Sequence, residues 1–128
     1  MSYKHRFVIL HKAPFSPYQQ SWYRPELSEW SYRLMKLCEK YRVDIVFSGH
    51  EHMFKDETFG GVKYLISGCG GMLLYLPQSA GGYLHYLVIK VRGDYVSFEV
   101  RRIFPPFWEY VTYYLWKEIF YLLLWTVY

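Results

Sequence analysis

The chain has 128 residues, with 15 Lys and Arg against 11 Asp and Glu, which gives a formal net charge of +4. That length allows one domain with one small core. Hydrophobic residues make up 52% of the chain, which excludes a disordered segment. The two cysteines cannot form a disulfide framework, and they lack the CxxC spacing of a zinc site. The basic residues are dispersed, so the sequence carries no nucleic-acid signature.

The first part of the chain has the pattern of a strand, a helix and a second strand. Residues 7–10 form a short apolar run of β-forming residues, and the proline-rich residues 12–25 predict a loop. Pro25 suits the first turn of a helix over residues 26–41. The apolar stripe of that helix comprises Leu27, Trp30, Leu34, Leu37, Cys38 and Tyr41. Residues 43–47 predict a second buried strand, and the three elements together indicate a βαβ unit with parallel strands.

The second part of the chain predicts further strands. Val62–Ser67 reads as a strand and runs into the glycine-rich sequence SGCGG. Residues 83–91 and 95–103 flank the turn sequence Arg-Gly-Asp and predict a hairpin. In its second arm, polar and mostly apolar side chains alternate, which indicates one exposed and one covered face.

Residues 107–128 form a different kind of segment, which we predict to be a helix. Ten of these 22 residues are aromatic. Lys117 and Glu118 lie near its middle, and each costs about 3 kcal/mol at the centre of a bilayer, which disfavours a membrane crossing. Three interpretations stay open: packing on the chain's own domain, docking on a partner, including a homo-oligomer through residues 107–128, and lying at a membrane surface.

Three of the five histidines follow predicted strands, His11 after the first strand and His50 and His52 after the second. Parallel strands place their carboxyl ends at one edge of a sheet, where ligands collect. We therefore expect these histidines to share that edge. Neutral imidazoles are ligands for Mn, Fe and Zn, and an HxH pair has a chelating spacing. The alternative is that all three are surface histidines without a ligand.

Two other residues of chemical interest have simpler interpretations. His85 lies inside a predicted strand, where it is either a packed or edge-strand histidine or a functional one that positions a metal ligand or contacts a phosphate. Cys69 lies among glycines with no basic neighbour, which favours a small buried thiol over a reactive one.

The chain contains, in this order, FVILHKAP, a helix, DIVFSGHEH, SGCGG and a hairpin that contains HYL. In this order of motifs, residues 5–103 resemble the C-terminal half of the calcineurin-like metallophosphoesterases. The resemblance implies an α/β fold, with residues 1–103 as half of a metallophosphoesterase β-sandwich with flanking helices and residues 104–128 as an added aromatic helix. It implies phosphoester hydrolysis at a pair of Mn, Fe or Zn ions. By this resemblance, His11 and His50 bind one ion and His52 binds the other.

The remaining ligands of that family have no counterpart in the sequence. Its D-x-H, GDxxD and GN-H-[DE] motifs precede the first of these histidines, whereas here ten residues precede His11 and none is Asp. The chain has no Asn, and its aspartates are Asp44, Asp56 and Asp94. We therefore expect an incomplete site and little activity from this chain alone. Three explanations are open. The chain is a truncated enzyme, or it is one half of a split enzyme whose N-terminal half comes from a partner chain, or it is a degenerate domain.

A different class of function is a non-catalytic interaction module, with or without membrane contact. The N-terminus lacks the apolar core of a signal peptide, so we expect a cytoplasmic or membrane-associated location.

Overall fold

The structure, a computed structural model, describes residues 3–15, 29–71, 74 and 76–126. Residues 16–28 lie outside the described residues. They include most of the predicted loop, Pro25 and the predicted start of the first helix with Leu27. In chain order the described elements are β1 (Phe7–Lys12), α1 (Glu29–Lys40), β2 (Ile45–Gly49), β3 (Phe54–Phe59), β4 (Val62–Ser67), a 3-10 turn (Gln78–Ala80), β5 (His85–Arg92), β6 (Tyr95–Arg102) and α2 (Phe107–Thr126).

A four-stranded sheet with the order β1-β2-β4-β3 forms the centre of the molecule. β1 and β2 are parallel, with Val8 beside Val46, and β4 is parallel to β2 on its other side. The parallel pairing predicted for the first two strands is confirmed. It places the carboxyl ends of β1, β2 and β4 at one edge of the sheet, and this is the edge that carries the predicted ligands.

Strand β3, which is antiparallel to β4 at the edge of the sheet, was not predicted from the sequence. Three charged residues interrupt its apolar pattern, and such charges are typical of edge strands. One of them, Asp56, pairs with Lys63 on β4 at 2.7 Å. The sequence does contain one indication of β3, because a Gly-Gly pair between two strands is typical of a two-residue hairpin turn. Gly60 and Gly61 form this turn, and both have positive φ.

Helix α1 buries a narrower face than the sequence predicted. Cys38 is buried, and Leu34 and Met35 pack against the core. Trp30, however, is 62% exposed, and Leu37 and Tyr41 are also exposed, which corrects their assignment to the buried stripe. The described part of α1 contacts the core through Leu34, Met35 and Cys38, and the outer members of the predicted stripe lie in solvent. The core itself includes Val46, Val62, Tyr64 and Ile66.

The C-terminus of α1 is closed by a Schellman motif with an unusual residue. The N–H group of Val43 donates to the carbonyl of Cys38, and that of Arg42 donates to the carbonyl of Glu39. Arg42 has φ of 51°, a left-handed conformation usually taken by glycine at this position. The motif turns the chain directly from α1 into β2.

Strands β5 and β6 form the predicted hairpin and make a second, two-stranded sheet. The ring of Phe98 on β6 lies 6.4 Å from the ring of Phe54 on β3, and the His85 N–H group donates to the carbonyl of Cys69. The molecule is therefore a mixed α/β structure with two sheets in contact. The predicted metallophosphoesterase sandwich stays a prediction.

The aromatic segment is helical over Phe107–Thr126, as predicted, and residues 127–128 lie outside the described residues. Many of its described side chains are in solvent: Phe107, Trp108, Trp116 and Leu122 are each about two-thirds exposed or more. These four side chains do not pack on the chain's own domain. Within the described residues, no helix has the length and apolar character needed to cross a bilayer.

Candidate functional site

His11 and His50 meet at the carboxyl edge of the parallel strands. His11 is near the end of β1, and His50 directly follows β2. The Nδ1 atom of His50 lies 3.2 Å from the Nε2 atom of His11, and the two rings meet edge to face at 74°. Both side chains are exposed. The expectation that these two histidines share one edge is confirmed.

The backbone at His50 has an unusual conformation that was not predicted from the sequence. His50 has φ of 68°, and only one other described residue that is not glycine, Arg42, has positive φ. Such a conformation costs on the order of 1–3 kcal/mol, and strained residues of this kind cluster at active and ligand-binding sites. The next residues continue in tight turns, because the Glu51 N–H group donates to Gly49 O and the Met53 N–H group donates to Glu51 O. The strained turn holds an exposed imidazole beside His11.

The distance between the two imidazole nitrogens fits two ligands of one metal ion. Tetrahedral zinc holds each imidazole nitrogen at about 2.0–2.1 Å, which places two such nitrogens about 3.3 Å apart. The observed separation of 3.2 Å is close to that value. Without an ion, the same contact is an N–H···N hydrogen bond, in which one ring donates and the other accepts. His11 and His50 can thus serve as a neighbouring pair of ligands.

Further ligands do not gather around this pair. Across residues 3–15, 29–71, 74 and 76–126, no three His, Cys, Asp or Glu side chains are grouped so as to hold a metal ion. His52 lies half-buried on the turn after β2 and does not complete such a group. Asp44 and Asp94 lie at the other end of the sheet and hairpin, where they contact His5 and Lys4. The ligand roles of His11, His50 and His52 stay predictions.

His85 is buried directly behind the same edge. Its Nδ1 atom lies 2.8 Å from the carbonyl oxygen of Tyr83, and its Nε2 atom lies 3.0 Å from the hydroxyl of Ser67. Since a carbonyl can only accept, Nδ1 carries a proton, and Ser67 donates to Nε2 when the ring is neutral. Ser67 ends β4, and a Cβ placed on Gly49 would lie 3.9 Å from the carbonyl oxygens of both Ser67 and His11. His85 is thus tied to the end of β4 through Ser67, and a role in positioning the metal ligands stays a prediction.

The thiol of Cys69 does not take part in this chemistry. Cys69 is fully buried, and burial raises the pKa of its thiol to about 11. The thiolate, which is the nucleophilic form, is therefore scarce at neutral pH. This agrees with the interpretation of Cys69 as a small buried residue.

Comparisons with known proteins give distant structural similarities only. The chain matches no protein-family model and no curated protein. A crystal structure of wild-type Vps29 from Entamoeba histolytica complexed with Zn²⁺ is similar, with a TM-score of 0.38 and 18% sequence identity. The match covers 66% of this chain and 50% of that chain, so this chain spans about half of the Vps29 structure. Vps29 has a calcineurin-like metallophosphoesterase fold, but a TM-score of this size assigns neither a fold nor a function here.

Proposed function

We propose that this chain is part of a calcineurin-like metallophosphoesterase and contributes histidine ligands to its metal centre. His11 and His50 hold one divalent ion, Mn, Fe or Zn, and His52 faces the second. The ions would neutralise the charge of a bound phosphoester and lower the pKa of the attacking water. The observation that carries the proposal is the 3.2 Å separation of the His11 and His50 nitrogens at the carboxyl edge of parallel strands.

The centre needs carboxylate and amide ligands from other residues. The chain contains no Asn, and its three Asp residues lie away from the histidine pair. β1 is the outermost strand of the sheet on the side of His11. A further polypeptide segment or a partner chain that lies beside β1 would bring the missing ligands next to His11. We therefore propose that catalysis requires such a segment, and that the substrate is a phosphoester bound between the two parts.

A second candidate function is a non-catalytic binding module, which the exposed helix α2 favours. Trp108 and Trp116 are 75% and 68% exposed. Large exposed aromatic side chains mark interaction surfaces more often than free surface. In this alternative, α2 docks on a partner, on a second copy of this chain or on a membrane surface, and the histidine pair is a remnant.

Zinc binding separates the two candidates. We expect isothermal titration calorimetry to detect weak binding of one Zn²⁺ by the whole chain. The binding should be lost in a His11→Ala, His50→Ala variant, because each imidazole supplies half of the pair. Lys12→Ala, a change at the exposed neighbour of His11, should bind zinc like the wild type. Equal zinc binding by the double variant, or no binding by the wild type, would overturn the proposed metal centre.

A further inference from the structure

A second histidine site lies at the opposite end of the central sheet from His11 and His50. The Nδ1 atom of His5 lies 3.2 Å from Oδ1 of Asp44, and its Nε2 atom lies 2.8 Å from the carbonyl oxygen of Gly93. The His5 side chain is only 12% exposed and that of Asp44 is 30% exposed. The imidazole is thus enclosed between two oxygen atoms.

Both partners of the His5 ring are hydrogen-bond acceptors. A carbonyl oxygen cannot donate, and an ionised carboxylate only accepts. A neutral imidazole has one N–H group and can satisfy one of the two oxygens, whereas the imidazolium has two and satisfies both. The geometry therefore selects the protonated, positively charged form of His5.

The two acceptors belong to different sheets. Asp44 directly precedes β2 in the central sheet, and Gly93 lies in the turn between β5 and β6. Beneath this connection is an open groove of about 560 Å³ between the central sheet and the hairpin. Its lining includes Asp44, Thr58, Lys63, Asp94, Ser97 and Phe98. His5 is thus a side-chain link across one end of this groove.

Further polar contacts hold Asp44 in place and link the same two parts of the molecule. Asp44 also accepts from the Arg6 N–H group at 2.7 Å, which holds its carboxylate in place. Asp94, in the hairpin turn, pairs with Lys4 at 2.8 Å, and this forms a second and more exposed link between the same two parts. On β4, the Lys63 N–H group donates to the backbone carbonyl of Asp44, while the Lys63 ammonium pairs with Asp56.

The pKa values shift as this geometry requires. The hydrogen bond to the Gly93 carbonyl, followed by that to Asp44, raises the pKa of His5 above its usual value. Burial alone would raise the pKa of the Asp44 carboxyl, but hydrogen bonds from the Arg6 N–H group and from His5 bring it below its usual value. The complete link therefore exists between the lowered pKa of Asp44 and the raised pKa of His5.

We propose that His5 is a proton-controlled clasp, which fastens the β5–β6 hairpin to the central sheet when protonated and frees the tip of the hairpin when it loses its proton. Deprotonation removes one of the two N–H groups, so one of the two oxygens loses its partner. The groove between the sheets then opens at the end lined by Asp44 and Asp94. Because the pKa of His5 is raised in the folded state, the stabilisation is fully present below the unfolded pKa of about 6.5. It is lost as the pH rises through the folded value.

Nuclear magnetic resonance of the ¹⁵N-labelled whole chain tests the clasp. At pH 5.5 the two ring nitrogens of His5 should both show imidazolium chemical shifts. As the pH rises, His5 should lose its proton above the usual pH for histidine. The amides of Gly93, Asp94 and Tyr95 should shift with the same midpoint. Their hydrogen exchange, corrected for intrinsic rates, should become faster on the alkaline side.

Two variants keep the test decisive. In His5→Gln, which cannot carry the charge, the hairpin amides should lose their pH-dependent shift, and in Asp44→Asn the midpoint of His5 should move to lower pH. A Lys12→Gln variant, altered at an exposed position at the other end of the sheet, should behave like the wild type at the hairpin. A neutral His5 ring at pH 5.5 would overturn the proposal, as would an unchanged pH response of the hairpin amides in His5→Gln.

Discussion

The carbonyl oxygen of Glu51 lies directly against the Cα atom of Gly68, so closely that a Cβ placed on Gly68 would be 2.0 Å from that oxygen. Glu51 is in the strained turn between His50 and His52, and Gly68 is the first residue after β4. The Gly68 N–H group also donates to the carbonyl of Met53. The turn that carries two of the predicted ligands is therefore seated on a glycine, and its position depends on the absence of a side chain there.

Gly68→Ala should destabilise the protein and disturb the histidine pair. The added methyl group collides with backbone atoms rather than with a flexible side chain, so the turn itself must move. We expect the free energy of unfolding to fall by about 1–3 kcal/mol, as for other overpacked sites, when measured by urea denaturation. Gly70→Ala is the matched control, because a Cβ on Gly70 meets nothing within 4 Å. Equal stability of the two variants would contradict the close contact.

Arg42→Gly should stabilise the protein. A left-handed conformation costs a residue with a Cβ atom about 1–2 kcal/mol, which glycine avoids, while the greater freedom of glycine in the unfolded chain offsets part of the gain. We expect a net increase of about 0.5–1 kcal/mol in the free energy of unfolding. Arg42→Ala keeps the Cβ atom and should show no such gain. If both variants changed stability alike, the effect would come from the arginine side chain and not from the backbone.

The 128-residue chain by itself should hydrolyse phosphodiesters slowly or not at all. Two-metal hydrolysis needs two ions about 4 Å apart, and the described residues offer one pair of imidazoles without a third ligand. The measurement is release of nitrophenol from bis(p-nitrophenyl) phosphate with Mn²⁺, with a His50→Ala, His52→Ala variant as the control. Rapid turnover by the wild type that disappears in this variant would show that the site is completed by another copy of the chain.

Removal of residues 105–128 should change the association of the protein. The side chains of Phe107, Trp108 and Trp116 are exposed. Exposing apolar aromatic surface to water is unfavourable, and such surface promotes association. We expect the whole chain to self-associate or to bind lipid vesicles, and the shortened chain to be monomeric and free of vesicles. Light scattering measures the mass, and vesicle sedimentation measures lipid binding. If both forms were monomers without affinity for vesicles, α2 would have no docking role.

The sequence determined the parts of the fold that depend on local pattern. The apolar runs at β1 and β2, with an amphipathic segment between them, were sufficient to predict a parallel pair. That pairing in turn predicted that His11 and His50 share an edge, because strand direction alone decides where residues after a strand will lie. The hairpin around Gly93 and the helix beginning at Phe107 were likewise specified by short-range signals, a turn sequence and a proline pair.

The tertiary structure decided the features that depend on contacts between distant parts of the chain. The charges that hide β3 in the sequence are compatible with a strand because β4 lies beside it, where Asp56 pairs with Lys63 of β4 and Lys55 pairs with Glu57. The positive φ of His50 is held by the packing of its turn on Gly68, a contact between segments 17 residues apart in the chain. His5 and Asp44 become a pair only when the N-terminal segment pairs beside β2 and the hairpin turn closes over them. Contacts between residues distant in the chain are set by the packing of whole elements, so they became visible only once the sheets had been placed.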